Sequence, residues 1–188
     1  MQLYREEENN MKKRILTAVL AAALVTGTCA ATVSAKEEKT YTIGICQLVQ
    51  HDALDAATKG FEDAITEKMG DSVKFDEQNA QGDSNTCSTI INSFVSEGAD
   101  LILANATASL QAAAAGTSDI PILGTAVTEY GVALGIDDFD GTVGGNISGT
   151  SDLAPLDEQA DMLHELFPDA KNVGLLYCSA EPNSQYQV

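Results

Sequence analysis

Basic residues are scarce in this chain. Its 188 residues include 10 Lys and Arg against 28 Asp and Glu, a formal net charge of −18 at pH 7. Such a surface repels phosphate backbones, which makes nucleic acid a poor partner, and it repels anionic lipid headgroups. The acidity reads as a solvated surface that keeps the protein soluble. Nucleotide and hydrolase signatures are missing as well: no G-x-G-x-x-G follows a strand, and there is no P-loop and no G-x-S-x-G. The cysteines Cys29, Cys46, Cys87 and Cys178 form no C-x-x-C pair and have no His at a ligand spacing, which argues against a zinc site. Cys46 and Cys178 sit in apolar strand-like runs and Cys87 on an apolar helix stripe, so buried thiols acting as small hydrophobes are expected. No cofactor and no metal is expected.

A long apolar run is lacking too. The stretch 15–25 is the longest candidate, and it falls short of the roughly 20 apolar residues a bilayer-spanning helix needs. It follows Lys12, Lys13 and Arg14 and leads to Val33-Ser34-Ala35. A basic start, a short apolar core and an A-x-A-like exit read as a secretory signal over residues 11–35, with an uncleaved anchor as the alternative. Residues 1–10 are polar and acidic, unlike the start of a signal, and read as an upstream mis-start with Met11 as initiator. Thr26-Gly27-Thr28 before Cys29 fits a lipobox badly, so simple cleavage is preferred to lipidation. The mature part, residues 36–188, loses Arg5, Lys12, Lys13, Arg14, Glu6, Glu7 and Glu8, and keeps 6 basic against 25 acidic residues. Its length suits one ordinary domain with a real core.

What remains alternates between strand and helix patterns. Tyr41-Thr42-Ile43-Gly44-Ile45-Cys46 is β-rich, and Leu54, Ala57, Phe61, Ala64, Ile65 and Met69 then mark one helix face closed by Gly70. Residues 73–75 read as a second strand. Asp83-Ser84 offers a cap to a helix carrying Cys87, Ile90, Ile91, Phe94 and Val95, with Gly98 beyond its end. Residues 101–104 and 120–123 read as strands, with Pro121 at the start of the latter, and residues 109–115 as a short helix between them. Continuous apolar strands joined this way predict an α/β fold, a parallel sheet with helices on both faces. Ligands of such sheets bind outside the carboxyl ends of the strands. The segments there, 47–52, 79–83, 105–109 and 125–128, hold mostly small, amide or hydroxyl residues, suited to hydrogen-bonding a small polar ligand.

From Gly141 the pattern changes. Gly141, Gly144, Gly145 and Gly149 suit a crossover or hinge. Leu156, Ala160, Leu163 and Phe167 mark another helix face, and Val173-Gly174-Leu175-Leu176-Tyr177 reads as a strand opening a new unit. Residues 36–152 are therefore expected to form one α/β lobe, and residues 153–188 the start of a second, incomplete one.

Seven blocks, in order, resemble the ABC transporter substrate-binding proteins of the tryptophan/tyrosine type. They are Ile43-Gly44-Ile45-Cys46-Gln47-Leu48-Val49-Gln50-His51-Asp52-Ala53-Leu54-Asp55-Ala56, Asn79-Ala80-Gln81-Gly82-Asp83, Leu101-Ile102-Leu103-Ala104, Ile120-Pro121-Ile122-Leu123, Thr125-Ala126-Val127-Thr128, Gly144-Gly145-Asn146 and Glu181-Pro182-Asn183-Ser184. The resemblance implies two Rossmann-like lobes of a type I periplasmic-binding clamshell, closing over a ligand and handing it to a membrane permease. It implies an aromatic amino acid as ligand, and contact with a membrane only through the permease or an anchor.

Candidate ligand contacts follow. Thr107 and Ser109 open the third helix, where free N–H groups attract a carboxylate, although Ser and Thr are ordinary caps as well. Thr125 follows the fourth strand and Gln47 ends the first, both beside the same crevice. Asn183 and Ser184 would grip the ligand from the second lobe, against the plainer reading of a Pro-Asn-Ser turn. His51 could stack on a ligand or titrate, or simply shape the helix entry; His164 reads as exposed. The sequons at Asn105 and Asn146 are set aside because the leader looks bacterial. Two other functions compete: a two-lobed amino-acid racemase using Cys46 and Cys178 across a cleft, and a periplasmic sensor. Neither thiol has a base near it in sequence to activate it, so a binding protein rather than an enzyme is expected.

Overall fold

The computed structural model describes residues 39–188. The expected leader, its exit at Ala35 and Cys29 lie outside the described residues. Five strands form one sheet: β1 (Tyr41–Gln47), β2 (Val73–Asn79), β3 (Leu101–Asn105), β4 (Ile122–Val127) and β5 (Ile147–Ser151). Their order is β2-β1-β3-β4-β5, and every pairing is parallel. The expected parallel α/β sheet is therefore observed.

Helices cover both faces because side chains alternate along each strand. Ile43, Ile45 and Leu103 point one way and pack with Phe61 and Ile65 of α1 (Asp52–Met69). Cys46, Ile102, Ala104 and Ile122 point the other way, against Ile91 and Phe94 of α2 (Ser84–Glu97) and Leu110 and Ala113 of α3 (Thr107–Gly116). Each fully buried Ile, Leu or Phe in these layers contributes about 1.5–3 kcal/mol.

The helix ends follow local chemistry. Asp83 caps α2 by accepting from Thr86 N–H at 2.7 Å. Gly98 closes that helix at φ 74°, a conformation glycine adopts without steric cost. His51 caps α1, its Nδ1 accepting from Ala53 N–H at 3.2 Å, so its ring has a structural task. Pro121 stands just before β4, where its missing N–H breaks no ladder, and its carbonyl accepts from Ile102 N–H at 3.0 Å.

The structure departs from expectation in three places. The glycine-rich stretch is partly a strand: β5 pairs with β4, with Gly124 opposite Gly149. Its side chains are largely exposed, so no apolar period announces it. A short helix, α4 (Tyr130–Leu134), follows β4 and is capped by Glu129, which accepts from Gly131 and Val132 N–H. Residues 173–177, expected as a strand, form none; Leu176 is fully exposed and Leu175 is 68 % exposed. An extended segment with no neighbouring strand has no ladder to join. α5 (Leu156–Leu166) forms as expected but buries no residue, and α6 (Pro182–Tyr186) starts with Pro182, whose lack of an N–H suits a first helical position.

At the β4–β5 seam a Cβ on Gly149 would run into the Gly124 carbonyl oxygen and the Tyr130 hydroxyl. Gly149→Ala is expected to cost about 1–3 kcal/mol by overpacking. Hydrogen exchange at residues 147–151 checks this: their amides should lose protection before those of β1 and β3.

Candidate ligand-binding crevice

The carboxyl ends of the strands carry unusual backbone. Gln81 (φ 56°), Ala106 (φ 93°) and Ala126 (φ 52°) follow or end β2, β3 and β4 in a region L side chains rarely adopt. Such residues cost on the order of 1–3 kcal/mol each and persist where the surroundings over-determine them. Lateral backbone bonds supply that constraint: Ala80 N–H to Gln47 O at 2.9 Å, Leu48 N–H to Asn105 O at 3.2 Å and Ala106 N–H to Thr125 O at 3.0 Å. The rim is sewn sideways beyond the last ladder positions.

A buried polar network fastens the rim to α1. Asn105 Nδ2 donates to Leu54 O and Thr58 Oγ1, both at 2.9 Å, and Thr58 Oγ1 donates to Gln47 Oε1 at 2.7 Å. Gln47 Nε2 donates to Val49 O at 3.0 Å and to Asp55. Asn105 Oδ1 is the one buried side-chain oxygen among the described residues without a protein partner.

At the rim lies a cavity of about 360 Å³, lined by Leu48 and Ser84, by Ala106 at the β3–α3 turn and Thr107, Ala108 and Gln111 of α3, by Ala126, and by Cys178, Glu181 and Asn183. Its size falls in the roughly 300–1,000 Å³ range of small-molecule sites. The N-terminus of α3 lines it. The cap residue is Ala106, which has no side chain to accept from the first N–H groups. Those groups have no carbonyl partner within the helix, and the helix dipole makes this end attractive to an anion. α2 differs, since Asp83 already occupies its end.

The residues singled out from sequence divide. Thr107 and Asn183 line this cavity together. Ser184 stands one residue beyond, its hydroxyl donating to Glu181 Oε2 at 3.2 Å. Thr125 sits at the same level of the sheet, opposite Asn105, but lines a separate depression of about 420 Å³ with Phe61, Leu103 and Leu123 on the α1 side. Gln47 is 2 % exposed, and both ends of its amide are engaged in the network. Ser109 is fully buried, its hydroxyl 3.6 Å from the sulfurs of both Cys46 and Cys87. The hydrogen bond to Cys87 and burial push the Cys46 thiol well above its ordinary range. Cys178, expected buried, is exposed and lines the cavity.

Sequence reasoning passed over Ala106, Ala108 and Ala126, which offer only backbone, and it quoted Glu181 without assigning it a task. Alanine carries no functional signature, so only coordinates reveal a left-handed Ala at a strand end.

A parallel sheet with an uncapped helix terminus and small polar groups around one rim cavity is the arrangement in which α/β folds hold small ligands. The chain matches the family of ABC transporter substrate binding proteins over residues 42–188 and belongs to it. A tyrosine-binding protein of Clostridioides difficile strain R20291 is 46 % identical over 154 residues, 80 % of this chain and 44 % of that protein. A Streptococcus pneumonia ABC domain solved in complex with L-Trp superposes with a TM-score of 0.73 at 34 % identity, over 79 % of this chain and 51 % of that one. A substrate-binding protein with adhesive properties from Clostridium difficile, in its ligand-free open form, gives a TM-score of 0.64 at 42 % identity with the same coverage. The chain thus spans about half the length of the relatives it matches. No helix among the described residues is long and apolar enough to cross a membrane.

Proposed function

We propose that this chain belongs to the extracytoplasmic receptor of an ABC importer, binding a free aromatic amino acid and delivering it to a permease. One observation carries the reading: the bare N-terminus of α3, with the Thr107 hydroxyl, opens on a cavity that Asn183 lines too. That terminus suits the ligand's carboxylate, and the neighbouring alanines leave room for the rest of the molecule. Residues 36–152 act as the first lobe, and residues 153–188 contribute the opening of the second. Residues 11–35 direct export, with processing after Ala35.

Binding without chemistry is supported by the thiols. Cys46 is enclosed with its thiol held protonated, and it does not line the cavity that Cys178 reaches. A racemase needs both thiols facing one substrate. The test is titration calorimetry of the chain against L-tryptophan, L-tyrosine, L-phenylalanine, leucine and a sugar. Saturable heat is expected for an aromatic amino acid; heat for leucine or the sugar alone would overturn the ligand class.

A further inference from the structure

The cavity holds one carboxylate and no basic side chain: Glu181 is the only ionisable acid in its lining, and no Lys, Arg or His joins it. Glu181 stands at the cap position of α6, yet its carboxylate makes no bond to that helix's N–H groups. Glu129, at the same position of α4, gives both carboxylate oxygens to backbone N–H groups, and Asp83 and His51 cap their helices as well. Among the described residues the only hydrogen bond the Glu181 carboxylate receives is from the Ser184 hydroxyl, at 3.2 Å, and no salt bridge engages it. Glu181 is exposed and lines the cavity without serving as a helix cap, and the same lining includes the uncapped N-terminus of α3.

A cavity with a positive helix end on one wall and a lone carboxylate on another has the polarity of a zwitterion. Pro182 holds the backbone of Glu181 extended, at φ −110° and ψ 121°. We propose that Glu181 receives the ammonium group of the ligand and so selects free α-amino acids over carboxylic acids of the same shape that lack the amine. This rests on the reading that the α3 terminus takes the carboxylate, and it adds a specificity-determining residue on the opposite wall.

The test compares L-tryptophan with indole-3-propionate, which keeps the ring and the carboxylate and lacks the amine, on the wild-type chain and on Glu181→Gln. Loss of one charge-assisted hydrogen bond corresponds to roughly 10- to 100-fold in affinity. The wild type should prefer tryptophan by about that factor, and Glu181→Gln should bring the two affinities together by weakening tryptophan alone. Glu165→Gln separates this site from a general loss of charge: that exposed acid of α5 lies outside the cavity, and its variant should keep the preference. Equal binding of both compounds by the wild type, or an undiminished preference in Glu181→Gln, would overturn the assignment while leaving the carboxylate site intact. If folded wild type binds neither compound and no other aromatic amino acid, the proposed function fails and this assignment goes with it.

Discussion

Phe94→Ala is expected to lower the free energy of unfolding by about 3–5 kcal/mol. The ring is 1 % exposed and lies between α2 and β1. It occupies the space above Gly44, where a Cβ would come within 2.5 Å of ring carbons. Glycine on the strand and a large ring on the helix form one complementary pair, and the sheet cannot close onto a missing ring without shifting β1. Native domains have only about 5–15 kcal/mol in hand, so this one truncation removes a large share. Urea denaturation of the variant should show an earlier midpoint with an unchanged slope. A midpoint within error of wild type would mean that the layer between α2 and the sheet is not the principal core.

Thr107→Pro should remove ligand affinity while sparing the fold. Proline at the first position of a helix costs little, because the N–H there has no intrahelical partner. The residue before it, Ala106, already has the extended ψ of 161° that a following proline favours, and its left-handed φ of 93° is strained with or without that proline. The substitution deletes one N–H and the only hydroxyl that α3 offers to the cavity. Losing two hydrogen bonds to a carboxylate corresponds to at least roughly 100-fold in affinity. Ligand titration and a thermal melt on the same sample separate the effects: weakened binding with a kept melting temperature is expected. Undiminished affinity would place the carboxylate elsewhere.

The parts of this molecule that were legible in sequence are those where side chains do the work. α2 announced itself because its cap Asp83, its stripe from Cys87 to Phe94 and its closing Gly98 are all side-chain signals. β1, β3 and β4 were readable because their cores are buried and apolar. β5 was not, since it joins the edge of the sheet through its backbone while its side chains face out. Residues 173–177 misled for the opposite reason: their apolarity suits a strand, but pairing needs a neighbour. The rule that ligands lie beyond the strand ends pointed to this rim, where the structure has a cavity, and the direction of each side chain was beyond that rule's reach. Gln47 and Ser109 stand on the right elements, and the coordinates turn both inward, one to Thr58 and the other to two thiols. Thr107 and Asn183, from segments far apart in sequence, meet at one cavity.

The chain contains no tryptophan, so indole emission from added L-tryptophan can be followed with no background from the protein. Excited at the red edge of its absorption, the ligand should show a saturable rise in anisotropy as the chain is added, and excess L-tyrosine should reverse it. A flat trace, with the chain folded and present at about 1 mM, would contradict the claim that this rim cavity is built to hold an aromatic amino acid.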